Sequence, residues 1–392
     1  MSDYRKIESI LYETLDKAES SDYIGYSKFD GLNSPLLRIL SFGFWPLRLI
    51  WTQIIMRSPV NLRPLLLVKK DVNPESPALF ARANLDIYSL ENDGRFRKRA
   101  EHCLACLEAN DSKSKGGYHG SCWGYNHPWQ STGFYQPPAF PNCYMTVIVG
   151  GAFLHGFRTL KNDKYLKIAR SAVEFVTCDL DIVSETDEEK CISYVPKIKK
   201  GFCVININAL AAGFLAQVGS FTGEAALIEQ ARKLLMFVSR QQTSYGAWHY
   251  TINPRQSLIS HDNYHTGMIL DAFLEYECAT GDQQFRPCYE KGLRFYEDNL
   301  FLWDGAPKWA SDQIYPHDIH GSAQGILTFA GAEDWKRAFR IAQWAIQHFH
   351  KGNGDFSYQK DRFISKRFTL THWCNGWMAR GLAALRLFKK QP

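Results

Sequence analysis

Three clusters of polar and aromatic residues stand where a long connection gives way to an apolar helical pattern. They are Tyr125-Asn126-His127-Pro128-Trp129-Gln130, His261-Asp262-Asn263-Tyr264-His265-Thr266-Gly267, and Tyr315-Pro316-His317-Asp318-Ile319-His320 with Gln324 one turn on. Thr371-His372-Trp373-Cys374-Asn375 with Trp377 makes a fourth. His, Asp and Tyr at fixed positions move protons. Trp and Tyr planes suit the axial C–H face of a pyranose, while Asp, Asn, Gln and His bind hydroxyls in a fixed pattern. At a helix N-terminus such groups also lie beside exposed N–H groups that favour an anionic ligand. The candidate catalytic residues are therefore Asp262, His265, Tyr264, Asp318 and His320. The candidate substrate contacts are Trp123, Tyr125, Trp129, Gln130, Trp248, Asn263, Tyr315, Gln324, Trp373 and Trp377.

Each of these has a plainer reading. An Asp before an inner helix is often an N-cap, worth about 1 kcal/mol, but capping alone does not account for His265 and His320. Repeated aromatics also serve as wedges in a core. His261 and His265 have zinc-like spacing but lack the intervening Glu of metalloproteases, and Cys103-x-x-Cys106 is a lone pair inside a helical pattern. No phosphate loop, dinucleotide fingerprint or nucleophile elbow is present. The expectation is no metal and no cofactor.

The elements that must position these groups show as a repeat. Cys122-Trp123-Gly124-Tyr125, Cys191-Ile192-Ser193-Tyr194, Ala247-Trp248-His249-Tyr250, Pro307-Lys308-Trp309 and Asp355-Phe356-Ser357-Tyr358 each precede an apolar helix. Their separation of roughly 50 to 70 residues is the length of two helices and their connections. Apolar spacing of three and four predicts helices at 78–90, 94–109, 142–159, 163–179, 205–219, 223–241, 263–280, 283–299, 319–330, 333–350 and 373–388, with 3–18 or the segment after it as a twelfth. Alternate helices are small and apolar nearly all round, and their partners carry charge on one face. Inner and outer rings of this kind predict an all-α fold, an (α/α)6 toroid or six-hairpin barrel. It would occupy residues 73–392, after an N-terminal helix and an apolar, basic arm in residues 1–72.

With 392 residues, 45% of them hydrophobic, the chain can bury one large core. A net charge of +6 with scattered basic residues does not read as a nucleic-acid partner. Ten mostly isolated cysteines and an N-terminus without an apolar signal core predict a cytoplasmic, reduced protein. Residues 34–68 depart from the rest, with Leu, Ile, Phe and Trp punctuated by Arg38, Arg48, Arg57 and Arg63. Pro35, Pro46, Pro59 and Pro64 break the run too often for a spanning helix of about 20 apolar residues. Two readings stand open: the arm lies at an anionic membrane surface, giving peripheral contact with the inner membrane, or it packs on the helical body.

Cys122-Trp123-Gly124-Tyr125 with Trp129-Gln130, the 261–267 cluster, and 315–320 with Ala323-Gln324 together resemble a family encoded in bacterial capsule, exopolysaccharide and O-antigen (lipopolysaccharide) clusters. The likeness runs from about Asn73-Pro74 to the C-terminus. More distantly the chain resembles the six-hairpin toroids of uronate C5-epimerases, polysaccharide lyases and unsaturated-uronyl hydrolases. An α/α toroid is what the resemblance implies. Departures are Asn206 and Asn208, in a run where relatives tend to have a Tyr-Asn phrase, and His127.

The leading functional expectation is an enzyme of surface-polysaccharide biosynthesis that acts on a saccharide or lipid-linked glycan. Its specific form is abstraction of the proton alpha to a uronate carboxylate by an epimerase or lyase. His265 or Tyr264 would be the base, with Asn263, Gln130 and His320 as donors on the carboxylate. One alternative makes Asp262 and Asp318 the acid and base of a glycoside hydrolase, which requires carboxylates about 5 to 9.5 Å apart. A second alternative is a non-catalytic glycan-binding or assembly protein held at a membrane by the arm.

Overall fold

Periodic apolar faces lead to two concentric layers. The computed structural model describes residues 2–132, 134–197, 203–257 and 259–388. Its helices begin with α1 (Ser2–Ser20), α2 (Pro35–Leu40), α3 (Trp45–Arg57), α4 (Glu75–Glu91), α5 (Gly94–Ala109) and the single turn α6 (Lys113–Gly116). They continue with α7 (Cys143–Leu160), α8 (Asp163–Glu174), α9 (Ile205–Thr222), α10 (Ala225–Arg240) and α11 (Asn263–Thr280). The last are α12 (Arg286–Asn299), α13 (Ile319–Gly331), α14 (Trp335–Phe349) and α15 (Trp377–Phe388). Helices α4, α7, α9, α11, α13 and α15 pack each on the next, and α15 returns to α4, so the inner ring closes. Outside it, α5, α8, α10, α12 and α14 each lie against their inner partner, and α1 takes the sixth outer place against α15. The fold is the (α/α)6 toroid.

Local chemistry sets the ends of these rods. The Asn142 side chain accepts the Met145 N–H at 2.8 Å and starts α7. Gly223, at φ +72°, stops α9 in the left-handed conformation that glycine adopts without strain. Small residues let the inner helices approach, as where a Cβ on Gly213 would stand 3.3 Å from the Ala272 Cα of α11. The sequence periodicity places most helix ends within three residues of those observed, and 94–109 and 263–280 coincide with α5 and α11. The 163–179 stretch ends in a π-helical turn, Phe175–Asp179, and a second one, Thr371–Gly376, leads into α15.

The repeated phrase has a backbone reason. The first N–H groups of a helix have no partner within it. Here the carbonyl of a phrase aromatic accepts the leading N–H of the preceding inner helix: Tyr194 from Cys143 at 2.9 Å, Tyr250 from Ile205 at 3.0 Å, Trp309 from Asn263 at 3.2 Å and Tyr358 from Ile319 at 3.2 Å. These bonds hold the aromatic side chains at the N-terminal rim of the ring. Short antiparallel pairs stiffen the same rim: β1 (Trp129–Gln130) with β2 (Tyr135–Gln136), β3 (Ile182–Glu185) with β4 (Lys190–Ile192), and a sheet in which β6 (Gln359–Lys360) lies between β5 (His317–Asp318) and β7 (Ser365–Lys366). At two to four residues these strands are too short to show an alternation in the sequence.

The arm crosses this rim. Its organising contact is a buried ion pair, Arg63 Nε to Asp30 Oδ1 at 2.7 Å, with Arg63 also donating to the Ser27 carbonyl at 2.8 Å. Burial raises the Asp30 carboxyl pKa, and Arg63 works against that rise. The prolines start helices here: Pro35 opens α2 behind the Ser34 cap, and Pro46 lies in the first turn of α3. Among the described residues no helix is long and apolar enough to cross a membrane. The arm's inner side reaches several hairpins: Phe29 lies 5.2 Å from the Trp129 ring, the Tyr26 carbonyl accepts the Thr371 N–H at 3.1 Å, and Lys366 Nζ donates to the Met56 carbonyl at 3.3 Å.

Candidate active site

The α11 entrance supplies the first proton-handling unit. Asp262 occupies the N-cap position, yet its side chain makes no capping bond and instead meets His265 Nδ1 at 2.7 Å. An Asp so placed orients the imidazole through Nδ1, and Nε2 is the nitrogen left to act. Asp318, at the α13 entrance, is a true cap: Oδ1 accepts the His320 N–H at 2.9 Å. It also accepts the Trp373 indole N–H at 2.8 Å and the Gln359 amide at 2.7 Å. Asp318 is thus a scaffold carboxylate that fixes Trp373 against α13.

His320 stands between aromatic planes, stacked on Tyr264 at 4.8 Å and on Trp377 at 4.4 Å, with the Trp373 ring edge-on at 4.3 Å. It is buried, and neither ring nitrogen has a hydrogen-bond partner among the described residues. Burial, then the nearby Lys28 charge, holds its pKa well below the usual imidazole value, so the ring is neutral at pH 7. Burial likewise pushes the Tyr264 phenol well above its ordinary range, with Asp262 and Asp318 adding to the rise. Tyr264 therefore keeps its proton and fits a donor, which removes it as the expected base.

Two charged groups at this place carry no sequence motif. Lys28, from the arm, is buried with Nζ 3.5 Å from the centre of the Trp373 ring, 5.3 Å from Tyr264 and 5.7 Å from Trp309. No carboxylate among the described residues stands within ion-pair distance of it. Burial lowers its pKa to about 8, while Asp318, Asp262 and Glu75 pull it back up. Glu75, at the start of α4, accepts from the Tyr144 hydroxyl at 2.7 Å and the Trp377 indole at 2.8 Å. Burial raises its carboxyl to about 7. Tyr125, Tyr194 and Tyr250 complete the wall: burial raises the pKa of all three, Glu75 acts further on Tyr125 and Tyr194, and Asp262 acts on Tyr250. All six hairpins and the arm contribute to the one cluster.

The phrase is not a regular strand, in which residues two apart would share a face, and its Trp and Tyr side chains part company. The tyrosines face the cluster, whereas Trp123 and Trp248 turn into the wall. Each indole donates to a carbonyl of the outer helix before it, Trp123 to Leu107 at 2.8 Å and Trp248 to Val238 at 2.9 Å. Both indoles are thus engaged by the scaffold, where the sequence had suggested substrate contacts. Trp248→Ala should lower stability by about 3–5 kcal/mol, read from the denaturation midpoint. A ligand contact would instead show as weaker saccharide binding at unchanged stability.

Other candidates also fall away from the cluster. Asn263 donates to the Leu300 carbonyl at 2.8 Å and accepts from Tyr296 at 3.0 Å, so its amide is engaged by the scaffold. Gln324 bonds Asp271 at 2.7 Å, deeper along the ring. Tyr315 packs on His317, which lies against Trp344 of the outer helix α14. Gln130 donates to the Ser131 and Phe134 carbonyls, and its buried Oε1 is unpartnered among the described residues. It can accept from a hydroxyl, and the donor role expected for it is filled locally. Trp129 stands beside Tyr125, 5.6 Å away edge-on.

His261 is engaged on both sides, by the Trp248 carbonyl at 2.8 Å and the Tyr245 hydroxyl at 2.9 Å. Among the described residues no group of three or more His, Cys, Asp or Glu side chains is arranged to hold a metal ion.

No family model matches the chain, and no curated protein sequence is significantly similar to it. Solved structures do match in shape. The unsaturated glucuronyl hydrolase from Bacillus sp. GL1, responsible for the degradation of glycosaminoglycan, superposes with a TM-score of 0.63 at 12% identity, over 98% of this chain and 96% of its own. The GH76 α-mannanase of Bacteroides thetaiotaomicron gives 0.62 at 12% identity, over 81% and 88%. The cellobiose 2-epimerase of Spirochaeta thermophila gives 0.60 at 11% identity, over 81% and 86%. At these identities the likeness establishes architecture alone: the chain has the α/α toroid that these three proteins share.

Proposed function

We propose that the protein is a carbohydrate-active enzyme that removes the C5 proton of a uronate residue in a surface polysaccharide or its lipid-linked precursor. The observation that carries this reading is the meeting of the Asp262–His265 pair, the neutral His320, the protonated Tyr264 and the unpaired cation of Lys28 at one rim. A carbon acid next to a carboxylate needs a base on one face and a cation where the enediolate charge gathers. His265 Nε2 is the base, held by Asp262. Lys28 takes the carboxylate, as a cation without an ion-pair partner among the described residues can. Tyr264, its ring 4.3 Å from that of His265, and His320 stand beside the base, and the aromatic walls of Trp373 and Trp309 suit a pyranose face.

Transfer of the C5 proton to His265 leaves the electron pair delocalised into the carboxylate. Return of a proton from water to the opposite face gives the C5 epimer. Departure of the C4 oxygen with that electron pair gives a C4–C5 double bond and a lyase product. The similarity in shape to an epimerase and a glucuronyl hydrolase is compatible with a sugar ligand at this rim. The hydrolase alternative is less well supported, because Asp318 is fully engaged by His320, Trp373 and Gln359. A purely binding role leaves the Asp262–His265 pair without a task.

Incubation with uronate-containing oligosaccharides in deuterated water tests the reading. Deuterium at C5, or an unsaturated product, is expected. Neither label nor unsaturation across a panel of uronans, with neutral glycosidic cleavage instead, would transfer the reaction to the hydrolase class.

A further inference from the structure

One side of the arm faces the site, and the other is apolar and open. Leu32, Leu37, Ile55 and Val68 are buried, whereas Ile39 is 70% exposed, Phe42 81% and Leu65 76%, with Phe44, Trp45 and Val60 more than half exposed. Eleven of the twenty-one large hydrophobic side chains exposed among the described residues fall in residues 34–68, under a tenth of the chain. A soluble surface scatters such residues singly, and their concentration marks a contact surface. Charge accompanies them. Between Asp30 and Asp71 there are six basic residues and no acidic one, which equals the +6 excess of the entire chain. A second segment adjoins: the turn between β6 and β7, tied to the end of α3 through Lys366 and Met56, exposes Phe363 and Ile364 beside Arg362.

We infer that this outer face of the arm docks on a bilayer rich in anionic phospholipid. Exposed Phe, Trp, Ile and Leu side chains enter the headgroup boundary, while Arg38, Arg57, Lys69 and Lys70 meet lipid phosphates. The helices of the arm are too short to span, so the protein lies on the surface. A protein partner of ordinary composition would have to be acidic and apolar at once, whereas an anionic bilayer offers both properties everywhere. Because the arm's other side carries Lys28, docking sets the catalytic rim next to the membrane, where a lipid-linked glycan presents its sugars. The docking itself does not depend on which reaction the site performs.

Sedimentation of the full chain with vesicles tests this directly. It is expected to pellet with phosphatidylcholine vesicles containing phosphatidylglycerol, and roughly tenfold less with phosphatidylcholine alone or in molar salt, where the screening length shrinks to about 3 Å. The double variant Phe42→Asp, Trp45→Asp should lose at least about tenfold in partition. Those side chains are exposed, so its thermal melting should match the unchanged protein. Failure of the unchanged protein to pellet with anionic vesicles, or equal partition of the variant, overturns the inference. A concentration-dependent dimer that the variant abolishes, without vesicle binding, also overturns it and assigns the face to a second copy of the chain.

Discussion

His265→Gln is expected to reduce C5 proton exchange by about 10³-fold, within the usual range for loss of a positioned general base, with the melting temperature within a few degrees of the unchanged protein. The side chain is partly exposed, and Gln, of similar size, can keep its contacts with the Tyr250 and Tyr264 rings. Asp262→Asn should keep the size of the side chain but orient the ring poorly, since an amide is a weaker acceptor for Nδ1 than a carboxylate. A loss of about 10²-fold in kcat with little change in KM is expected. If His265→Gln exchanged deuterium at the unchanged rate, the base would lie elsewhere, and Glu75 would be next, since burial holds its carboxyl at about 7.

Lys28→Met should separate function from stability. A uronate carboxylate that loses its cation binds about 10- to 100-fold more weakly, by the 1.5–3 kcal/mol of a charge-assisted hydrogen bond. KM is therefore expected to rise steeply for uronate substrates and little for a neutral analogue. At pH 7 the same variant should be more stable, by on the order of 3 kcal/mol, since each unit of depressed pKa is about 1.4 kcal/mol. Lys28 falls from 10.5 to about 8 on folding. Between those values the unfolded chain holds the proton more firmly than the folded one, so the unchanged protein gains stability as pH rises from 8 to 10.5. Lys28→Met lacks that gain.

Glu75 acts in the opposite sense. Its carboxyl rises from 4.5 to about 7 on folding, so its contribution is present below 4.5 and is lost as pH climbs to 7. Glu75→Gln should flatten that decline in a pH series of denaturation midpoints. A decline of the same slope in the variant would assign it to other groups.

The ring of helices was legible because each inner helix is small and apolar all round and each outer one is amphipathic, a contrast that survives in any window of the sequence. Asp262, His265, Tyr264 and His320 were legible as a group because they crowd two helix entrances. The direction of individual side chains was not. In Ala247-Trp248-His249-Tyr250 the indole and the phenol look equally suited to a sugar, and only the folded connection, with Trp248 bonded to the Val238 carbonyl and the Tyr250 carbonyl holding the Ile205 N–H, separates them. Asn263 read as a carboxylate donor until Leu300 and Tyr296, more than thirty residues away, took its amide. Lys28 gave no signal among 46 basic residues, because its importance comes from the arm folding back over Trp373. Of the two readings of the arm, contact with the body is made by Phe29, Tyr26 and Lys366, while the other face of the arm is exposed.

A crystal structure of the protein with a bound uronate oligosaccharide is the most direct measurement of the central claim. One sugar is expected against Trp373 and Trp309, its carboxylate on Lys28 Nζ, and its C5 about 3–3.5 Å from His265 Nε2, the separation of a near-attack geometry. A saccharide bound away from Lys28, or one whose glycosidic oxygen rather than C5 faces Asp262 and Glu75, would contradict it.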